Sequence, residues 1–484
     1  MDKFVGWLND VLWSPPLIII CILVGLFFSL STRFLQVRLV KDMIAQMFKG
    51  KSSDAGISSF QALSVALSGR VGTGNIAGVA TAIGLGGPGA VFWMWLIAFV
   101  GAATAYVEST LAQIYKVKQD GEYRGGPAYY IEKGTGMRWY GIVFAIATII
   151  SLTFLMPGVQ ANAIAEGLDN AFGMHKMLTA AIIAVLLGII IFGGVKRIAG
   201  VAQFVVPFMA LGYIIVALII VFINIDQVPA VFALIFKSAF GAEATFGGLV
   251  GSAIAWGVKR GIYSNEAGQG TGAHAAGAAE VSHPAKQGLV QAFSVYIDTW
   301  FVCTATAFMI LFTKMYSTKT PAGEYLFKNM GTDEPGPQYT QAAVEHVFPG
   351  FGAGFVAISL FFFAFTTIMA YYYMSETNVA YLTRGKNNRW AILLIKVVSI
   401  AAVFYGCVKT SKVAWAFGDT GLGIMVWLNI IAVVILMKPA LVALKDYERQ
   451  KKAGIDPVFD PEALGIKNAD YWVEAKKGDK KEVS

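Results

Sequence analysis

The 484-residue sequence predicts an all-α integral membrane protein with about eleven transmembrane helices, two inverted five-helix halves behind one additional N-terminal helix. Three observations carry that prediction. Hydrophobic residues make up 56% of the chain and charged residues 14%, with mean hydropathy +0.61, whereas a soluble protein carries about a quarter charged residues. Apolar runs of about 20 residues, enough to cross roughly 30 Å of hydrocarbon, recur along most of the length. Two of these runs are interrupted by similar small and polar residues at corresponding places.

In chain order, the apolar runs fall near 16–36, 58–83, 89–115, 139–168, 177–193, 200–224, 244–278, 285–315, 351–382, 389–408 and 413–442. The first lacks a small-residue cleavage site and is followed by Arg33 and Arg38, so it reads as an uncleaved span. Lys and Arg collect on alternate connections: Arg38, Lys41, Lys49 and Lys51; Lys116, Lys118, Arg124, Lys133 and Arg138; Lys196 and Arg197; Arg384, Lys386 and Arg389. These connections are expected to be cytoplasmic, which leaves the N-terminus outside and the C-terminus inside. The net charge of +8 therefore reflects orientation in a lipid bilayer, not a nucleic-acid partner. A plasma membrane, the bacterial inner membrane, is the expected location.

The resulting division is an N-terminal helix and loop over 1–57, a first repeat over 58–224, a second over 244–442 and a polar, solvated tail over 443–484. The long connection near 316–350 is rich in Pro, Gly and charge and reads as a loop, with a short helix at 341–346. Cys21, Cys303 and Cys407 have no paired spacing, so neither a disulfide framework nor a zinc site is expected.

The interruptions are the informative feature. In "RVGTGNIAG", Gly72, Thr73, Gly74 and Asn75 follow Arg70 and Val71 where a hydrophobic helix should be strongest. Within a bilayer, backbone N–H and C=O groups without partners are costly, so a broken helix persists only where protein or a polar cavity satisfies it. Its ends offer N–H groups to an anion and carbonyls to a cation, which suits a zwitterion together with a metal ion. The run "KRGIYSNEAGQGTG" repeats the pattern: Arg260 leads to Asn265-Glu266-Ala267-Gly268 with the spacing by which Arg70 leads to Asn75-Ile76-Ala77-Gly78. An odd number of spans per half inverts the second half, the plan of an alternating-access transporter.

Charges inside apolar runs mark further candidates, because each is costly there and usually paired. Glu108, Arg260, Glu266 and Asp298 are expected to gate or couple, with Asp298 or Glu108 paired to Arg70, Lys259 or Arg260. Proton relay by Glu266 or Asp298 is the rival use of the same residues. A membrane-embedded enzyme would need a convergent catalytic set, such as HExxH or a serine-lysine dyad, and the sequence has none in a suitable motif. A channel would show a repeated selectivity loop or a ring of charge, and a primary pump a GxxxxGK[ST] stretch.

Five ordered motifs, "RVGTGNIAGVATA", "YRGGPAYYIEKG", "VKRGIYSNEAGQGT", "DTWFVCTATA" and "FAFTTIMAYYYMSE", resemble the alanine or glycine:cation symporter family over roughly 55–440. The resemblance implies a LeuT-like fold and sodium-coupled uptake of alanine, glycine or similar small neutral amino acids, with sodium as the transported co-substrate and no obligate protein partner. It assigns the substrate carboxylate to Gly72, Thr73, Gly74 and Asn75, and places Gln160 against the substrate. Trp256 closes the pocket against large side chains, and Tyr371 supplies another wall. By the same resemblance, sodium is held by the carbonyls of Arg70 and Val71 with Thr366 and Thr367. The chain departs from many family members before Gln160, carrying Met156-Pro157-Gly158 in place of Gly-Asn.

Overall fold

The computed structural model describes residues 2–482 apart from Lys51, Ala244, Thr332, Asp333, Gly385 and Asn387, so three residues of the basic loops, Lys51 among them, and the last two of the tail lie outside the described residues. Eight helices among the described residues are long and apolar enough to cross a membrane: Phe4–Ser31, Ala90–Ile114, Arg138–Phe172, Lys196–Ile223, Pro284–Thr313, Gly352–Thr383, Arg389–Val408 and Ser411–Ile435. Three further expected spans fall short of that length for two reasons. The two interrupted runs divide into Ser59–Arg70 with Gly74–Gly86, and Val250–Asn265 with Gly272–Gly277, while Lys176–Ile191 has only 16 residues.

The N-terminal span begins earlier than its apolar run. Asp2–Leu12 is already helical and lies along Ser411–Ile435, with Asn9 donating to the Ala416 carbonyl at 2.8 Å and Trp427 to the Leu12 carbonyl at 3.0 Å. Pro15 and Pro16 then open the next helix, where a missing N–H costs nothing. Large apolar side chains on the outer helices face outward, Phe204 and Phe208 each 77% exposed. Only a lipid environment makes such a girdle favourable.

Close helix contacts use glycine. A Cβ on Gly406 would stand 2.5 Å from the Cα of Gly158, so Arg389–Val408 and Pro157–Phe172 touch backbone to backbone. Alternate connections gather at one end of the bundle, where Arg384 pairs with Glu132 at 2.5 Å, Lys196 donates to the Asp54 carbonyl at 3.4 Å, and Arg33 and Arg38 share Glu448 at 2.8 and 2.6 Å.

Two connections have more structure than their composition suggests. The segment after Thr313 forms an antiparallel hairpin, Ser317–Lys319 with Tyr325–Lys328, and the helix Pro337–Val347. It covers the far end of Gly74–Gly86, with the Thr318 hydroxyl donating to the Ile83 carbonyl at 3.1 Å. The tail is not a solvated extension: Met437–Lys452 continues the last span, and Phe459 and Trp472 are buried against the basic end. Its aromatic residues supply apolar area that its high Lys and Glu content conceals.

Replacing Gly406 by Leu should force Arg389–Val408 away from Pro157–Phe172. Overpacking of this kind costs about 1–3 kcal/mol, and a thermal unfolding midpoint lowered by several degrees in purified protein is the expected outcome.

Candidate functional site

The first interruption begins where the Ser59–Arg70 helix, started by a Ser58–Gln61 capping box, ends at Val71. The Gly72 N–H donates to the Asn75 Oδ1 at 2.8 Å, and the Thr73 N–H to the Gln160 Oε1 at 3.0 Å. A Cβ at Gly72 would strike the Thr367 hydroxyl and come within 3.0 Å of the Gln160 Oε1, so only glycine fits there. The chain re-enters a helix through a widened turn, Gly74–Gly78. Widened turns of this type concentrate at functional sites.

The second interruption needs left-handed backbone at Glu266, Gly268 and Gly270, with φ of 57°, 91° and 84°. It lies directly beside the first, since a Cβ on Gly74 would be 3.1 Å from the Ser264 Cα. Asp298, on the widened turn Tyr296–Cys303, joins them. Its carboxylate accepts from the Asn75 amide at 2.6 Å, the Ser264 hydroxyl at 2.9 Å and the Thr299 hydroxyl at 2.7 Å. Thr73, Asn75, Ser264 and Asp298 are completely buried and Gln160 nearly so, which closes the site to solvent.

Gln160 lies in the first turn of the helix that Pro157 opens, and its amide donates to the Tyr263 hydroxyl at 3.4 Å. Tyr371 is buried beside Gln160 and Tyr263. Trp256 sits apart from these groups, half-buried, its ring 5.2 Å from both the Lys259 ammonium and the Arg260 guanidinium. The aromatic groups above the interruption are Tyr263 and Trp415, with ring centroids 4.9 Å apart.

The threonine pair separates. The Thr367 hydroxyl lies 2.8 Å from the Ser68 carbonyl, at the carbonyl end of the first half-helix, and 3.0 Å from the Phe363 carbonyl of its own helix. Thr366 turns to the Phe362 and Phe363 carbonyls of its own helix, both at 3.0 Å, the usual back-bonding of a helical threonine.

The charges pair differently from expectation. Arg260 makes a two-pronged bond to Asp419 at 2.8 and 3.0 Å, and Lys259 adds a third contact at 2.7 Å. Asp419 was not singled out from the sequence, although it is the one acidic residue within Ser411–Ile435. Asp298 takes hydroxyl and amide donors rather than a base. Glu108 accepts from Asn429, which also donates to the Gly268 carbonyl at 3.0 Å and accepts from Tyr130. Glu266 is buried with its carboxylate against Gly69, while Arg70 donates to the Gln291 carbonyl at 3.1 Å and to the Ser294 hydroxyl.

A multi-pass helical protein whose two interrupted helices meet around a sealed polar centre has the makings of a membrane transporter. The sodium:alanine symporter family model matches residues 1–461, and the chain belongs to that family. A Bacillus subtilis (strain 168) protein assigned by name as a sodium/proton-dependent alanine carrier is 69% identical over 472 residues, 98% of each chain. The sodium/proton-dependent alanine carrier protein of Bacillus sp. (strain PS3) is 58% identical over 434 residues, 89% of this chain and 97% of that one. A B. subtilis protein assigned as a sodium/glutamine symporter is 44% identical over 466 residues, 96% of this chain and 94% of its own. A solved manganese transporter from Eremococcus coleocola covers 89% of this chain and 97% of its own at 11% identity and a TM-score of 0.49, too slight a likeness to inform the fold.

Replacing Asp419 with Ala strands Arg260 and Lys259 as buried cations. Breaking such a pair costs about 3–5 kcal/mol, whereas an apolar replacement of both partners is close to neutral. The Asp419→Ala variant should therefore unfold several degrees below the parent, and Asp419→Leu with Arg260→Met and Lys259→Met, which leaves no stranded cation, should regain more than half of the loss in the same thermal melt.

Proposed function

We propose that the protein is a sodium-coupled symporter that imports alanine, and with it glycine and similarly small neutral amino acids, by alternating access. The observation that carries this reading is the contact of the two interruptions through Asn75, Asp298 and Ser264. The proposed architecture is the LeuT-like one: eleven spans, an N-terminal helix over 1–57, inverted repeats over 58–224 and 244–442, and the tail over 443–484. The N-terminus lies outside and the C-terminus in the cytoplasm of a bacterial cell, as the basic connections favour.

The amino acid's carboxylate is taken up at the break over Gly72–Asn75. Gln160 and Asn75 there already present amide oxygens to the Thr73 and Gly72 N–H groups, and a carboxylate oxygen makes the same bond more strongly. Gln160, Tyr263 and Tyr371 crowd the position beside it, which supports a side chain no larger than that of alanine or serine. Trp256 is assigned to the outer entrance, together with Arg260 and Asp419.

Sodium takes hard oxygen ligands, and the site fits one: the Thr367 hydroxyl stands against the carbonyl end of Ser59–Arg70. Ser68 joins the carbonyls of Arg70 and Val71 as a candidate ligand, while Thr366 contributes packing. One charge moving across 100 mV is worth ~2.3 kcal/mol, about fifty-fold in accumulation.

The test is labelled alanine uptake into proteoliposomes under an imposed sodium gradient and, separately, a proton gradient. Sodium-driven accumulation that falls at least tenfold in Asn75→Ala is expected. Accumulation driven by protons alone would transfer coupling to Glu266 or Asp298 and defeat the sodium reading. A tenfold excess of glutamine should leave alanine uptake within twofold of its uninhibited rate. Thr367→Ala should raise the sodium concentration for half-maximal uptake at least tenfold, and Thr366→Ala less than twofold.

A further inference from the structure

At the basic end, the outer ends of the two interrupted helices are stitched together. Ile57, just before the Ser59–Arg70 helix, donates its N–H to the Ala278 carbonyl at 3.1 Å and accepts from the Glu280 N–H at 2.8 Å, just beyond Gly272–Gly277. The site cannot open toward this end while those two bonds hold. Side chains from the end of Ala90–Ile114 brace the stitch: Gln113 and Lys116 both donate to the Ala279 carbonyl, at 2.9 and 3.0 Å.

The tail closes around the same braces. Trp472 donates its indole N–H to the Gln113 carbonyl at 2.9 Å. The Lys116 ammonium, 1% exposed, lies 4.4 Å from the Tyr123 ring, 4.6 Å from Tyr471 and 5.0 Å from Trp472, so the tail supplies two walls of its aromatic cage. The Tyr471 hydroxyl donates to that of Tyr123 at 2.8 Å, and the Tyr123 N–H to the Ala55 carbonyl at 2.9 Å. On the other flank, the Phe459 N–H donates to the Ser282 carbonyl at 3.0 Å, and Lys286 pairs with Asp456 at 2.8 Å. Both strands of the stitch are thus held from the tail.

We propose that residues 456–472 form a strap that keeps the Ile57–Ala279 stitch closed, and that release of the strap paces opening of the site at this end. The functional half of the proposal rests on the alternating-access reading, whereas the closure itself does not. The attachment is non-covalent, made by the buried Phe459 and Trp472 with hydrogen bonds and one ion pair, so it can open locally without unfolding the bundle.

Hydrogen–deuterium exchange on the full chain in lipid nanodiscs separates the two. Trp472→Ala should speed exchange in peptides covering 55–58 and 278–282 at least tenfold, leave the hairpin over 317–328 unchanged, and raise initial alanine uptake at least threefold. In a second variant, Lys133→Cys with Asp470→Cys, two residues paired in the structure, a cleavable bis-methanethiosulfonate reagent should lock the strap. Locking should lower uptake at least fivefold, with recovery on reduction. Unchanged exchange at 278–282 while peptides over 459–475 exchange freely would overturn the strap, as would full uptake by the locked protein. Should the parent itself carry no alanine, the exchange arm still decides the closure, and the symporter reading fails separately.

Discussion

Everything at the centre of this protein depends on the requirement that backbone polar groups inside a bilayer find partners within the protein. Two helices are broken at the same depth, and each break alone would leave N–H and C=O groups without water. They survive because they lie against each other. Asp298 is the joint, since one carboxylate holds Asn75 of the first break and Ser264 of the second. Asn75 in turn turns its other amide atom back onto the Gly72 N–H. A movement of either half-helix is therefore felt by the other through a single side chain.

Charge is arranged in layers along the same axis. Arg260 and Lys259 with Asp419 lie before the second break, and Glu108 with Asn429 and Tyr130 beneath it. Trp13 ties the upper layer to the N-terminal helix, donating to the Asp419 carbonyl at 2.9 Å while its ring lies 5.2 Å from the Lys259 ammonium. The N-terminal helices thus back this cluster of charges. Neither layer contains the break itself, whose carboxylate, Asp298, is held by hydroxyl and amide donors rather than by a base. The centre is therefore polar on both sides, with the Asp298 carboxylate against the Asn75 amide and the Gln160 amide against the Thr73 N–H.

The positions of the helices could be read from the sequence because the bilayer imposes a length and a composition that few other environments do. The interruptions could be read for the same reason, Thr73 and Asn75 being out of place in an apolar run. Partners were harder. Thr366 and Thr367 are adjacent and so point about 100° apart on a helix, and nothing in "FTTIMA" says which faces the first break. Asp419 lies far from Arg260 in the chain, and its significance is visible only when the fold brings them together. Trp256 has the size to shield a small site, but about two and a half helical turns, carrying Arg260 and Tyr263, separate it from the break. The tail misled through composition: Lys and Glu describe its solvent face, while Phe459, Tyr471 and Trp472, too irregularly spaced to show a helical stripe, describe the face that docks.

Gln160 shows how occupancy of such a site could bear on both breaks. Its oxygen accepts from the Thr73 N–H and its nitrogen donates to Tyr263, so it bridges the first interruption and the helix that carries the second. A carboxylate that takes the Thr73 N–H frees the Gln160 oxygen, and the bridge must be remade with the solute itself. A ligand shifts an equilibrium only by the difference in its affinity for the two states. The bridge supplies that difference, because a carboxylate interacts most favourably where it replaces the lost bond and the amide end of Gln160 still reaches Tyr263. On the proposed reading, a larger side chain would press on Tyr263 and Tyr371 and break the second half of the bridge, so one contact would both select small solutes and link the two helices.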